Sequence, residues 1–472
     1  VPTATPPRRD GVTAVGPLGI DRPPTVLLAV IASTFFVGFG GGVVFPILPN
    51  LGAVLGISAF TVGVILSANR WVRLVANAPA GALVDRYGTR KPFVIGLFVE
   101  GVATLGYVVA LAMPAAESLR PLAASLPAIA AGPVTLGAEG WFAAIAAVVA
   151  PETWFLIARV LWGFGSAAVF ATAYTIAADL SNSGSRGTNM GVVRGGITMG
   201  FPAGLVLGGV VSAVAGNVAA FVVAAAFALT ASVVAYRYVP ETHVTGDRSG
   251  DSIRPWDVDT AVPALTVGLV NFGLMFAYIG ALFSTLVLFL GENDISLFGL
   301  APQGTSGLFM AGTVLSAALF MFVGGRISDT RDSRTPILLT FLVVSFVGFL
   351  LLARAGSVVS LGLACVFIGA GQGGTSGPMM ALLADLTPDE RMGRASGTNN
   401  VLGDVGGGLG PMVSLPLIEA VGFAPIYAAC AILPLAAGAA LLLGVRRETG
   451  TFLPGRTAGE AGPGDGSAPA ES

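Results

Sequence analysis

Lysine and histidine are almost missing from these 472 residues, with Lys91 and His243 the sole example of each, and cysteine occurs only at Cys365 and Cys430. With one lysine, no Gly-x-x-x-x-Gly-Lys-Ser/Thr loop exists to cradle a nucleotide phosphate. An ATP-driven machine would therefore need a partner subunit. Two cysteines inside apolar stretches and one distant histidine make neither a metal cluster nor a disulfide framework. No cofactor and no metal is expected. No nucleophile, base and metal converge in the sequence, which speaks against an enzyme. Charge of either sign is scarce, at 11% of residues with a formal net charge of −2, and no nucleic-acid partner is expected.

What the chain has instead is apolar length. Hydrophobic residues make up 54% of it and the mean hydropathy is +0.82, values outside the range of water-soluble domains. A helix crossing the hydrocarbon core needs about 20 mostly apolar residues, and runs of that kind follow one another along the chain. They are apolar on every face, whereas a membrane barrel would show short alternating segments. The fold class is all-α polytopic membrane protein, with twelve transmembrane helices in two six-helix bundles. Charges, prolines and glycine clusters bound the spans at roughly 25–45, 58–80, 92–113, 153–178, 189–213, 217–238, 262–290, 303–327, 336–354, 358–383, 396–419 and 424–445. The chain thus divides into a lead at 1–24, a first bundle at 25–239, a polar linker at 240–261, a second bundle at 262–447 and a tail at 448–472. The linker reads as a solvated connector, and lead and tail as disordered.

Arginine orients the spans. Arg86, Arg90, Lys91, Arg186, Arg237, Arg326, Arg331, Arg334, Arg391, Arg394, Arg446 and Arg447 fall in alternate connections or the tail, against Arg120 and Arg354 on the other side. The positive-inside rule then makes both termini cytoplasmic, in a multi-pass protein of the cytoplasmic membrane. The lead shows no signal-peptide layout. Segment 114–151 is too long for a tight turn, and its apolar piece Trp141 to Ala150 is half a spanning length. It reads as an external excursion with an interfacial or re-entrant part.

GALVDRYGTRKPF, from Gly81 to Phe93, sets Asp85, Arg86, Arg90 and Lys91 between two apolar runs, and GGRISDTRDSRTPI repeats it from Gly324. Gly81, Asp85, Arg90 and Pro92 fall on Gly325, Asp329, Arg334 and Pro336. A second match lays Asp179 on Asp385, with Gly163 and Gly165 on Gly369 and Gly371. The halves are a duplication. Twelve spans in two sixes, with Gly81, Asp85, Arg86, Gly88, Arg90 and Lys91 between spans two and three, resemble the major facilitator superfamily of secondary transporters. The resemblance runs from about Thr25 to Arg447. It implies a small-molecule substrate held near the bilayer midplane between halves that rock against each other, in a monomer, with protons as coupling ion. It also implies a cytoplasmic latch that favours the outward-open state. There Asp85 caps the start of span eleven near Ala395, and Arg90 reaches Asp179. Gly81 is expected to end span two and admit another backbone. The second copy, with Thr330 and Thr335 at positions where the family prefers Arg and Lys, is expected to contribute less.

Ionisable groups inside spans mark cavities or partners. Arg70, Arg73 and Asn77 share one face of span two, and Asp404 of span eleven lies at a similar depth. Either Arg73 pairs with Asp404, or Arg70 or Arg73 meets an anionic substrate. Arg159 opens an Arg-x-x-x-Gly-x-Gly pattern that relatives use in proton transfer. Glu100 is the candidate carboxylate, either as proton carrier or as a structural partner of Arg159. Arg194, with its aligned counterpart Asn400, and Asn271, Gln372 and Asn399 are further candidates for the cavity wall. Gly196, Gly200, Gly204 and Gly208, with Pro202 among them, give span five a flat face. In the resemblance a Gly-Pro-rich span five marks antiporters, but here Phe201 separates Gly200 from Pro202 and the adjacent pair stands at Gly410-Pro411. Two functions stay open: proton-coupled efflux of small amphipathic compounds, and transport of an organic anion by symport or exchange. A receptor or scaffold of the same fold is disfavoured by the buried amides.

Overall fold

The computed structural model describes residues 25–113, 116–131, 134–179, 186–242 and 259–455. The first bundle opens with α1 (Thr25–Leu55), α2 (Ala59–Tyr87) and α3 (Arg90–Ala112). A 3₁₀ turn (Ala116–Leu119), α4 (Arg120–Ser125), a hairpin of β1 (Ile129–Ala131) and β2 (Val134–Leu136), and α5 (Ala138–Val149) follow. The bundle closes with α6 (Pro151–Asp179), α7 (Arg186–Ala215) and α8 (Asn217–Tyr238). In the second bundle, α9 (Val262–Met275) runs through a π-helical stretch, Phe276–Phe283, into α10 (Ser284–Glu292). Then come α11 (Pro302–Thr330), α12 (Thr335–Leu352), α13 (Val358–Asp385), α14 (Asp389–Val421) and α15 (Phe423–Thr449).

Among the described residues twelve helices are long and apolar enough to cross a membrane, in the register the apolar runs predict. Local chemistry sets several of their ends. Ser58 caps α2 by accepting the Thr61 amide at 3.2 Å, and Ser357 and Ser360 form a reciprocal capping box on α13. The α2 helix does not end at Gly81. It continues to Tyr87 and stops at Gly88, whose φ of +83° suits a residue without a Cβ. Among the described residues the one apolar helix of intermediate length, too short to span, is α5 in the excursion after α3, and it buries no residue. Its Trp141 indole donates to the Pro127 carbonyl at 2.7 Å, and Arg120 lies 4.0 Å over the Phe142 ring.

Small residues build the seams, because lipid supplies no hydrophobic force between helices and close backbone contact must do the work. On α7, Gly200 and Gly204 press on the carbonyls of Phe35 and Phe39 in α1, while Gly38 and Gly42 of α1 press back on Ile197 and Phe201. The second half repeats the device: Gly406 and Gly410 of α14 meet the carbonyls of Phe272 and Phe276. The aligned glycines of α6 and α13 also play matching parts. Gly163 packs on α2 and Gly369 on α11, while Gly165 packs on α3 and Gly371 on α12.

The two bundles are joined unequally. At the face away from the chain termini, a single buried cluster runs through both, from Phe45, Leu48 and Leu51 of α1 to Phe283, Leu286 and Phe289 and on to Leu415 and Tyr427. At the terminal face each bundle has its own core, one around Phe93, Val169 and Ile176, the other around Leu338, Leu382 and Leu441. Among the described residues the bundles share a core at the far face and have separate cores at the terminal one.

Candidate functional site

α2 and α14 form the seam between the bundles, and residues along them record where it closes. Toward the far face Gly63 lies against the Pro411 carbonyl, and the buried Ser67 donates to the Gly408 carbonyl. Toward the terminal face Asn77 and Asn400 are exposed. Between these limits Arg70 Nη1 and Arg73 Nη2 both donate to one oxygen of Asp404, at 2.9 Å and 2.7 Å. Counted from Tyr87 and Asp389 at 1.5 Å per residue, the cluster sits about 20 Å along each helix, near mid-span. The structure thus brings together Arg70, Arg73 and Asp404. The side chains remain 19%, 20% and 18% exposed. Arg73 also lies 5.7 Å over the Phe170 ring of α6, an attraction of the cation to the ring face.

Arg159 takes no carboxylate. It is 2% exposed and donates Nε to the Ile65 carbonyl at 3.2 Å, and Nη2 to the Leu66 carbonyl at 2.8 Å and Asn69 Oδ1 at 2.6 Å. Glu100 is 1% exposed, lies against Gly165, and has no hydrogen-bond partner at either carboxyl oxygen. The expected Glu100 to Arg159 pair is therefore not made, because the Arg159 fork turns to the α2 backbone. An ionised carboxylate at Glu100 would carry its desolvation cost with no bond to offset it.

In the second bundle Asn271 donates to the Asn399 carbonyl at 3.0 Å, and Asn399 contacts Met380 Sδ at 3.5 Å. Asn399 Oδ1 and Gln372 Oε1 are buried acceptors without a donor. Gly196 and Gly208 complete the α1 seam, and Pro202 lies within the unbroken α7. The side chains of Asp85 and Arg194 lie outside the described residues.

The charged turns differ from expectation. A Cβ at Gly81 or Gly325 would meet nothing within 4 Å, so neither position needs a glycine for room, although Gly377 of α13 lies against the Gly325 backbone; Gly324 does need it, against Gly374. Span eleven begins at Asp389 and not near Ala395, which is wholly buried inside α14. Arg90 donates to the Tyr236 carbonyl at 2.5 Å and lies over the Tyr236 ring, while Asp179 accepts from the Thr242 hydroxyl at 3.1 Å. Arg86 lies over the Tyr87 ring and Lys91 is exposed. The second turn carries an ion network: Arg334 reaches Asp385 at 2.5 Å, Asp329 at 3.4 Å and Ser328 at 3.1 Å; the side chain of Asp85, the counterpart of Asp329 in the first turn, lies outside the described residues. Partial burial pulls the Arg334 pKa down, but its bonds to Asp385 and Asp329 outweigh this and hold it above the ordinary arginine value.

Three features escaped the sequence. Glu241, in the linker, accepts from the Thr89 amide at 2.6 Å, the Thr89 hydroxyl at 2.9 Å and the Arg90 amide at 3.3 Å, capping α3 across Gly88. At the other end of the linker the buried Asp259 pairs with Arg391 at 2.6 Å, so its two described ends are docked; the middle of the linker, 243–258 with His243, lies outside the described residues. The third is an aromatic stopper at the closed face. Phe201 of α7 stacks on Phe283 with ring centroids 6.1 Å apart, and Phe45 of α1 meets both at 5.9 Å. Phe201 is the residue that interrupts the Gly-Pro pair, and its side chain answers why.

The comparisons with known proteins agree with this architecture. Multidrug resistance protein 2 of Bacillus subtilis is 26% identical over 86 residues, 18% of this chain and only 22% of that relative's length. The multi-drug resistance efflux pump PmrA of Streptococcus pneumoniae is 23% identical over 412 residues, 83% of this chain and 89% of that one. A bacterial homologue of the human lysosomal transporter Spinster, crystallised inward-facing and occupied, shares the fold with a TM-score of 0.66 at 15% identity, over 89% of this chain and 96% of that one. The family model of the Major Facilitator Superfamily matches residues 30–411 and 301–465, and with two bundles repeating the same glycine seams around a charged mid-span junction, the chain belongs to that superfamily of membrane transporters.

Proposed function

We propose that this transporter exports small amphipathic compounds across the cytoplasmic membrane in exchange for protons, by alternating access, as a monomer with both termini in the cytoplasm. The observation that carries the reading is the unequal junction: one core joins the bundles at the far face while two separate cores divide them at the terminal face. A transporter resting in one of two states needs that geometry, with a junction at mid-depth that rearranges between them. Glu100 supports a proton role, since a buried carboxyl without a bond costs little only when neutral. Arg159 is fixed by three acceptors on α2, and the charge that acts on Glu100 is that of Arg73. The similarity to PmrA, an efflux pump, favours export.

The second reading, an organic anion carried by symport or exchange, is favoured by Arg70 and Arg73 sharing a single carboxylate. Proteoliposomes holding a pH-sensitive dye separate the two. Substrate addition on the terminal side should release protons to that side when substrate leaves it, and Glu100→Gln should abolish the proton signal. Proton and substrate moving the same way would overturn export by exchange. Substrate flux unchanged by Arg159→Ala would remove that residue from the mechanism.

A further inference from the structure

The charged groups at mid-depth do not balance. Among the described residues, the deep spans hold the side chains of Arg70, Arg73 and Arg159 against Asp404 and Glu100. Arg159 satisfies itself on carbonyls and an amide, and Glu100 bonds to nothing. Two guanidinium groups therefore share one oxygen of Asp404. Charge inside a membrane protein is retained where it meets a partner or a ligand, and here one bonded carboxylate serves two forks that each match a carboxylate on their own, with Glu100 acting on Arg73 through space and without a bond.

The position of the cluster adds to this. It is the boundary between the sealed stretch, where Ser67 and Gly63 touch α14, and the divided stretch, where Asn77 and Asn400 are exposed. Gly407 lets the Arg70 guanidinium lie flat on α14, with its atoms 3.0 Å to 3.3 Å from where a Cβ would stand. The Phe170 ring beneath Arg73 gives an apolar surface beside the charge. Asp404 also belongs to the opposite bundle from both arginines, so its bonds tie the halves together across the seam.

We propose that Arg70 and Arg73 receive the anionic head of the transported amphiphile, a carboxylate or sulfonate on an aromatic or apolar body, and that Asp404 is the internal occupant this head displaces. Displacement transfers the arginines from a bond between the bundles to a bond with the cargo. The tie at the seam opens only when cargo replaces it, which links binding to the change of state. The inference rests on the export reading for the direction of travel and stands apart from it for binding.

The test uses the full chain in detergent and three probes of one shape: 2-naphthoate, 2-naphthalenemethanol and 2-naphthylmethylammonium, with binding read by calorimetry. Naphthoate should bind at least about tenfold more tightly than the neutral probe, and the ammonium probe most weakly. Asp404→Asn should tighten naphthoate about tenfold by removing the competitor, whereas Asp404→Glu should leave it near the wild-type value. Arg73→Gln and Arg70→Gln should each weaken it about tenfold, with Arg73→Lys recovering part. A factor of ten corresponds to about 1.4 kcal/mol. Equal binding of all three probes, or weaker naphthoate binding by a monodisperse Asp404→Asn protein, would overturn the proposal. Where Asp404→Asn does not yield a monodisperse protein, the arginine variants decide. Charge-selective binding in a protein that fails to move protons in liposomes would refute the export reading and leave this site standing. Proton-coupled export of the neutral and anionic probes alike would do the reverse.

Discussion

Removing the Phe283 ring should open the closed face. The ring is completely buried, and it meets Phe201 at 6.1 Å and Phe45 at 5.9 Å, both in the opposite bundle. Its contact with Tyr278 at 4.8 Å stays within its own bundle and persists in either state. Phe→Ala in a core costs about 3–5 kcal/mol, but only the part lost across the seam shifts the balance of states. Two aromatic pairs at about 0.5–1.5 kcal/mol each make that part about 2 kcal/mol, or about 30-fold in population. A far-face-open population of about 1% would rise to about a quarter by the same factor. Spin labels at Leu55 and Phe298 flank the far face, in a background with Cys365 and Cys430 replaced by alanine, and report the distance by pulsed electron resonance. Phe283→Ala should add a longer-distance population; Phe322→Ala, on a ring 68% exposed, should not. Identical distributions for wild type and Phe283→Ala would refute the reasoning.

At the α1 and α7 seam, Gly204→Val would drive a side chain into the Phe39 carbonyl, so the bundle should not assemble, read as loss of the monodisperse peak in gel filtration. Glu241→Ala should cost about 1–2 kcal/mol through loss of the α3 cap and lower the melting temperature in detergent by a few degrees, while Glu241→Gln retains part of it. Arg334→Gln should cost about 1 kcal/mol, the scale of a partly exposed ion pair. Because the folded pKa of Arg334 lies above its ordinary value, its contribution is fully present below the unfolded pKa and is lost only as pH rises through the folded one. Arginine titration therefore adds no slope to a thermal melt between about pH 6 and 9, and a wild-type minus Arg334→Gln difference that fell over that window would count against the assignment.

The spans were legible because about 20 apolar residues in a row have no competing reading in a water-soluble fold. Counting residues along a helix also gave depth well enough to match Arg73 with Asp404. Depth is only one coordinate. The rotation of Arg159 about its helix decides whether it faces Glu100 or the α2 carbonyls, and a residue count carries no information on that once every face is apolar. Glu241 was hidden for a different reason: its partners, Thr89 and Arg90, are distant in the chain, and a glutamate in a polar linker has no pattern of its own. Phe201 appeared in the sequence only as an interruption of Gly-Pro, since ring stacking across a seam leaves no periodicity. The π-helical stretch before Ser284 likewise has no residue signature.

The duplication itself separates scaffold from chemistry. The shift that lays Asp179 on Asp385 also lays Gly200 and Gly204 on Gly406 and Gly410, and those glycines make matching contacts. It lays Arg159 on Cys365, a buried thiol, and Asp404 on Thr198. The shift between the charged turns lays Arg70 on Val314 and Arg73 on Ala317. Backbone seams are thus kept in both halves, whereas each of these four deep charges stands in one half alone. The repeated seams lie inside each half, Gly200 and Gly204 against α1 and Gly406 and Gly410 against Phe272 and Phe276, and hold each bundle together as a unit. The charges serve no such symmetry, and their cost in a membrane is not shared by their counterparts. Arg159 directs its donors to α2 carbonyls and Asn69, which leaves Arg70, Arg73 and Asp404 as the deep charges that join one half to the other.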